Sequence, residues 1–481
     1  MKIKNIFLGA LMTVIVAPTF AQVQKDEIKD KVVAIIKSGA PDKDKQIKAL
    51  AKEFKKDAAK LASVGKAYLA EKDYVNAKVY ADMAIKANSK SAEGFLLAGN
   101  IAVAKDEAGE AAAQFQQAMY ADPKDPNGYR RYAQMMSKAS PQDAVNALET
   151  LRQQRPDYPV DLIAAEIYSD AGKMDLAIQY YDKVNIADMK DYQISDYATN
   201  LFLSQNYEKS LNVATQGHNK FARNASFNRL MMFNQTELKD FEAAVAAGDK
   251  LFNASDSAKI SSFDYGYYGR ALEGANKYQE AIGIYEQMLK ADNVKADEKL
   301  EVNKKISDSY KKISDYAKAE EYLNKYIQGH PQSSFSLEES VAMLYADQLA
   351  DETTPAAQKQ AAYDKADALY AALGQKYPDN AAYVANKRAQ MPFSLPTDPK
   401  DPKAQLKQLK LAGPHYIEFA NILAAKSDRS AGETKMLINA YNAATAYYVH
   451  VVEDMDKAKE IAGKLIEIDP ENPNAKAILG K

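Results

Sequence analysis

At 481 residues the chain is too long for one ordinary hydrophobic core, and its apolar (47%) and charged (27%) fractions are those of a folded protein rather than a disordered or membrane-embedded one. A formal net charge of −2 gives no general attraction to nucleic acid or to an anionic bilayer. The absence of cysteine excludes disulfides, thiol catalysis and a lipid anchor on cysteine, so rigidity has to come from packing.

Residues 1–21 read as an export leader. Lys2 and Lys4 precede an apolar run from Ile6 to Ala17, and Pro18-Thr19-Phe20-Ala21 supplies a small residue before Gln22. The run is shorter than the roughly 20 residues of a spanning helix, so cleavage after Ala21 is expected. With no later apolar stretch of that length, the mature chain has no integral membrane segment and belongs in the periplasm, or outside the cell. Residues 22–57 then carry two amphipathic stretches, with Val32, Val33, Ile35 and Ile36 on the first and Ile47, Leu50 and Phe54 on the second, split by Ser38-Gly39-Ala40-Pro41. They form a capping hairpin.

From Ala58 the chain repeats. Lys72-Asp73-Tyr74-Val75-Asn76-Ala77 introduces a pattern of an aromatic residue or Met, two free positions and a small residue. It returns as Met174…Ala177, Tyr207…Ser210, Phe241…Ala244, Tyr278…Ala281, Tyr316…Ala319, Tyr363…Ala366 and Met455…Ala458. The period begins near 34 residues, the length of a helical hairpin. Twelve residues before Ala77, Ala111, Ala177, Ser210, Ala281, Ala319 and Ala458 stand Gly65, Gly99, Ala165, Ala198, Gly269, Ser307 and Ala446, all small. Two antiparallel helices approach closely only where small side chains meet, so these pairs mark the crossings. Met232, twelve before Ala244, departs, and predicts looser or shifted packing there. Tyr68, Tyr168, Leu201, Leu272 and Tyr310 on first helices, and Phe115, Tyr181, Tyr285, Leu323 and Tyr370 on second helices, fill the space between hairpins. Pro123, Pro156, Pro331, Pro378 and Pro470 end second helices.

The small-residue, Tyr-x-x-Ala and terminal-Pro pattern resembles the tetratricopeptide repeat (TPR) over about Ala58 to Asn472. The family's early tryptophan is missing throughout; Phe95, Tyr129, Phe227 and Tyr265 stand near its place. The resemblance implies an all-α, right-handed α-solenoid of about ten or eleven antiparallel helix hairpins. The array runs over 58–391. The Pro-rich stretch 392–403 is either a linker or a long loop inside one unit, the latter with Asn380–Gln390 as first helix and Pro414–Ala425 as second. C-terminal units and a capping helix fill 404–481. Ala350–Pro355 reads as an insertion between the two helices of one hairpin.

Chemistry is sparse. His218, His330, His415 and His450 have no metal-ligand spacing, and His415/Glu418 reads as an ordinary helix-surface contact. There is no nucleophile elbow and no phosphate loop, so neither catalysis nor a cofactor is expected. The 31 tyrosines against no tryptophan read as inter-helix filling with hydroxyls reaching water, although Ser262–Arg270 holds more aromatics than packing needs. Asp256-Ser257-Ala258, in a turn between units, resembles a bacterial O-glycosylation acceptor, but three residues recur by chance and an ordinary turn accounts for them.

If hairpins stack as in the resembled family, first helices line a concave groove. Residues beside the small contact and one turn either side should face it: Tyr192, Ser195, Thr199 and Phe202; Phe263, Arg270 and Glu273; Lys304, Asp308 and Lys311. These are the candidate binding residues, although Arg270/Glu273 and Lys304/Asp308 also have the spacing of plain surface ion pairs. The resemblance implies a non-catalytic scaffold or assembly adaptor of the bacterial envelope that binds protein or peptide and no nucleic acid. A glycan-binding envelope protein is the alternative. An α/α-toroid enzyme acting on polysaccharide is disfavoured by the missing tryptophan and the repeat spacing.

Overall fold

The computed structural model describes residues 26–398, 400–401 and 403–480; apart from one isolated bridge between Asn224 and Asp256, these form helices and their connections. The leader reading of residues 1–21 lies outside them. The chain divides into two compact units, one up to Lys259 and one from Ile260 onward.

The first unit opens with α1 (Glu27–Lys37) and α2 (Lys43–Glu53). Val32 and Ile47 join Leu61, Val64 and Tyr68 of the next helix in one buried cluster, so the capping hairpin shares a core with the array. Six hairpins follow: α3 (Ala58–Ala70) with α4 (Tyr74–Ala87), α5 (Ala92–Ala104) with α6 (Ala108–Ala121), α7 (Pro126–Met136) with α8 (Pro141–Gln154), α9 (Val160–Asp170) with α10 (Met174–Tyr181), α11 (Asp191–Leu203) with α12 (Tyr207–Lys220), and α13 (Ala225–Glu237) with α14 (Phe241–Asn253). The second unit holds α15 (Ser262–Gly274) with α16 (Tyr278–Lys290), α17 (Ala296–Lys312) with α18 (Tyr316–Gly329), α19 (Phe335–Ala350) with α20 (Ala356–Lys376), α21 (Ala381–Gln390) with α22 (Ala404–Ala424), and α23 (Ala431–Tyr447) with α24 (Met455–Ile468), closed by α25 (Pro473–Leu479).

The twelve-residue spacing is a physical contact. Ser210 Oγ donates to the Ala198 carbonyl at 2.8 Å, and Ser307 Oγ donates to the Ala319 carbonyl at 2.6 Å. A Cβ on Gly65 would lie 3.1 Å from the Ala77 carbonyl oxygen. Where the first helix offers glycine, an aromatic ring from the second can lie flat on it: a Cβ on Gly99 would meet the Phe115 ring at 2.4 Å, and one on Gly269 the Tyr285 ring at 2.2 Å.

Met232 does not loosen its hairpin. Met232 and Ala244 are both fully buried, and the turn keeps the common geometry, Asp240 N–H donating to the Gln235 carbonyl at 2.8 Å. The reason is reciprocal volume. Gly248 stands on α14 at the position filled by Phe115, Tyr181 and Tyr285 elsewhere, so the large residue has moved to the first helix.

The turn inside the hairpin also repeats. In seven hairpins the second residue before the second helix is left-handed: Lys72, Asp106, Gly172, Gln205, Lys239, Asn276 and Ser314 have φ between 58° and 67°. The following N–H donates back to the carbonyl five residues earlier, as from Asp73 to Tyr68 and from Asp315 to Tyr310, the Schellman closure of a helix end. Pro123, Pro156, Pro331, Pro378 and Pro470 each directly follow a C-cap residue and stop the second helices.

Three boundaries differ from the sequence reading. α20 begins at Ala356, seven residues before Tyr363. α22 begins at Ala404 rather than Pro414 and runs through that proline, packing on α21 across the Pro-rich stretch. In the last hairpin, Ala446 is only half-buried while Ala444 and Thr445 are buried. A π turn at Tyr448–Val452 adds a residue, Asp454 N–H reaching back to Tyr448, and so shifts the register by one.

Candidate functional site

The candidate residues fall into two groups. In the first unit, Tyr192 and Thr199 are half-buried and committed to local bonds. Tyr192 Oη donates to Glu166 at 3.1 Å, tying α11 to α9, and Thr199 Oγ1 donates to the Ser195 carbonyl one turn back. Phe202 is not a groove residue. It is buried, with its ring 5.5 Å from Tyr207 and 5.8 Å from Phe233. A position one turn past the crossing can face either the groove or the next hairpin, and an apolar side chain takes the dry side.

Behind Tyr192 lies a carboxylate-rich interface. Asp196 accepts from Tyr181 Oη at 2.6 Å and from Ser169 Oγ at 2.7 Å, while Glu166 also accepts from Gln193 Nε2 at 2.6 Å. Burial pushes the carboxyls of Glu166 and Asp196 above their ordinary range. Comparable tyrosine–carboxylate bonds join neighbouring hairpins elsewhere: Tyr180 to Glu149 at 3.1 Å, Tyr322 to Glu286 at 3.0 Å and Tyr345 to Glu320 at 2.6 Å. These hydroxyls therefore reach carboxylates, where water was expected.

In the second unit, Phe263 is half-buried and Arg270 is exposed, its guanidinium 5.0 Å from the Tyr267 ring centroid. Glu273 is half-buried and accepts from Ser309 Oγ at 3.1 Å, joining α15 to α17; burial raises its carboxyl pKa. It serves as a stitch between hairpins.

Lys304, Asp308 and Lys311 do share a concavity. They form one wall of a groove of about 420 Å³, with α19 opposite and α18 as floor. Lys304, Asp308 and Lys311 sit at i, i+4 and i+7 of α17 and so share a face. Ser336, Ser340, Met343 and Asp347 form the facing wall at i, i+4, i+7 and i+11 of α19, while Leu323 and Tyr326 come from below. Lys304 Nζ bonds Asp308 at 2.8 Å along its own helix, and Lys311 Nζ bonds Asp347 at 2.5 Å across the groove. Met343, 43% exposed, lines the same groove as these two pairs. The groove therefore combines apolar side chains with charge pairs open to water.

The α19 wall escaped the sequence analysis. Twelve residues before Ala366 lies Thr354, in the turn after α19, because the Ala350–Pro355 insertion lengthens this hairpin. The i, i+4, i+7, i+11 spacing of Ser336, Ser340, Met343 and Asp347 was the available signal.

Among the described residues no cluster of three or more histidine, aspartate or glutamate side chains has a metal-binding arrangement, and no helix is long and apolar enough to cross a membrane. Arg388 holds Asp367 at 2.7 Å, an ion pair between α21 and α20, and His415 of α22 lies 3.6 Å from Asp367 and 3.7 Å from Glu418. Burial, and then the Arg388 charge, lower the His415 pKa.

These crossings, left-handed turns and stacked hairpins define a helical-repeat protein with a TPR-like fold. No protein-family profile and no curated protein sequence matches the chain. Among solved structures, it is similar to the C-terminal part of a TPR repeat-containing protein from Cytophaga hutchinsonii, at 22% identity over 59% of this chain and 99% of that one, TM-score 0.36. It is also similar to a tetratricopeptide repeat protein from Parabacteroides merdae, at 15% identity over 48% and 91%, TM-score 0.32. A third is YrrB, described as a TPR protein with an unusual peptide-binding site, at 18% identity over 36% and 91%, TM-score 0.29.

Proposed function

We propose that the groove between α17 and α19 takes up a segment of a partner polypeptide, and that the chain is a non-catalytic adaptor working in the bacterial envelope after export. The observation that carries this reading is the exposed Met343 in one groove with the Lys304–Asp308 and Lys311–Asp347 pairs. A thioether is soft and unbranched, and it accommodates apolar side chains of varied shape. The charge pairs are exposed, so a partner's own charges can replace either member at little cost, whereas buried pairs would resist exchange. A volume of about 420 Å³ accommodates a few side chains of a bound segment. Export rests on the leader-like residues 1–21.

The test is affinity capture from envelope extract with the wild-type chain and Met343→Glu in parallel. The wild type should retain a defined polypeptide that the variant retains at least about tenfold less, a loss of 1.4 kcal/mol or more. Equal recovery by both chains would remove the groove from the account.

A further inference from the structure

Ser257 differs from every other residue that carries a side chain in a left-handed conformation. Among the described residues, Lys72, Asp106, Gln205, Lys239, Asn276, Ser314 and Glu453 share its positive φ, and each sits in the turn before a second helix. Ser257, with φ 49°, lies instead in the connection after α14, outside any hairpin turn. Glycine adopts this conformation without strain, so a serine kept here retains a side chain at an energetic cost.

The backbone presents that side chain outward. Asp256 N–H donates to the Arg223 carbonyl at 2.8 Å, and Asp256 and Asn224 form the isolated bridge already noted. The segment is thus pinned just before Ser257, which is exposed and whose hydroxyl has no hydrogen-bond partner among the described residues. The Asp256 carboxylate is held by Arg223 at 2.6 Å, with 61% and 71% of the two side chains open to solvent, so another protein's cation can take it over.

Only two Asp-Ser steps occur in the sequence, at 256–257 and 308–309. The second is a built-in comparison: Ser309 is 1% exposed inside α17 and donates to Glu273. An enzyme that reads Asp-Ser and acts on the hydroxyl can reach the first and not the second.

We infer that Ser257 is a site of O-linked glycosylation, within the acceptor triplet Asp256-Ser257-Ala258. The donor class is an oligosaccharide joined through its anomeric carbon to a polyprenyl pyrophosphate. Ser257 Oγ attacks that carbon, a C–O glycosidic bond forms, and the bond to the phosphate oxygen breaks. The pyrophosphate leaves with the electron pair, and the hydroxyl proton passes to a base of the transferase. Nothing is oxidised or reduced. The inference shares the export reading with the proposed function and is independent of the groove.

The experiment produces the full-length chain with its own leader in its own bacterium, alongside Ser257→Ala and Asp256→Ala. The trypsin fragment 251–259 is then weighed and sequenced by mass spectrometry, with circular dichroism to confirm equal helix content. The expected result is a saccharide mass on Ser257 of the wild type, absent from both variants, with Ser309 unmodified. An exported chain whose fragment is bare, or carries sugar on Asn253 or Ser255, overturns the inference. A chain that keeps its leader and stays in the cytoplasm overturns it together with the export reading. Groove capture by Ser257→Ala should match the wild type, so failure of one reading is distinguishable from failure of the other.

Discussion

Gly269 and Gly266 lie on the same helix, three residues apart, and adding one methyl to each should move stability in opposite directions. A Cβ on Gly269 would sit 2.2 Å from Tyr285 Cε1 and 2.4 Å from Cζ. Carbon atoms attract best near 3.5–4.0 Å, so the overlap exceeds about 1 Å. The Tyr285 side chain has no exposed surface and cannot swing into solvent. Such overpacking costs about 1–3 kcal/mol, of which about 1 kcal/mol returns because alanine is the better helix former. The net loss for Gly269→Ala is about 0–2 kcal/mol. A Cβ on Gly266 would meet nothing within 4 Å, so Gly266→Ala keeps only the propensity gain of up to about 1 kcal/mol. Repeat stacks need not unfold in one step. Native-state hydrogen exchange on α15 and α16, which reads local opening free energies, is therefore the assay, with urea unfolding beside it. Tyr285→Ala in the Gly269→Ala background should cost less than in the wild type, because the clash is gone. Equal protection of α15 in the two glycine variants would refute the crossing geometry.

Three further outcomes follow from the same contacts. Lys239→Gly should stabilise the first unit by about 0.5–1 kcal/mol, since its φ of 63° strains a side chain but not glycine; a lower urea midpoint would show that the Lys239 side chain contributes more than its strain. Ser307→Ala should cost about 0.5–1.5 kcal/mol by deleting the buried hydroxyl bond to the Ala319 carbonyl, read as faster exchange in α17 and α18. Asp196→Asn should flatten the pH dependence of the first unit. Burial raises the folded-state pKa of Asp196 above its unfolded value near ~3.9, so the folded state binds this proton more tightly than the unfolded state does. Its ionisation therefore costs stability as pH rises from about 4 through the folded pKa, and stability returns on acidification. Urea midpoints at several pH values from 4 to 8 should fall less with rising pH in the variant than in the wild type; parallel curves would exclude Asp196 as the source.

Most crossings were legible because sterics leave little choice: Gly, Ala or Ser fits where two helices touch and the spacing across the common turn is constant, Met232 with Gly248 and the π turn of the last hairpin being the departures. Ser210 and Ser307 even supply hydrogen bonds along that vector. The left-handed turns were not legible, since Lys72, Asp106, Gln205 and Lys239 occupy positions where glycine would have announced them. Pro414 misled in the other direction. A proline normally opens or ends a helix, yet α22 carries it in its interior. Half of the candidate groove was readable, as Lys304, Asp308 and Lys311 follow from the crossing at Ser307. The facing half was hidden because the insertion after α19 removed the reference crossing. Tyrosine recurrence indicated packing rightly, while the carboxylate partners of the hydroxyls depend on which hairpins adjoin and have no one-dimensional signature.

The most direct measurement places a photo-crosslinking side chain at Met343 in one chain and at Lys325, outside the groove lining, in another, followed by irradiation in envelope extract. The account predicts a discrete, protease-sensitive adduct at position 343 and none at 325. A contradicting result is the same adducts at both positions, or at 343 an adduct that glycosidase removes and protease leaves intact.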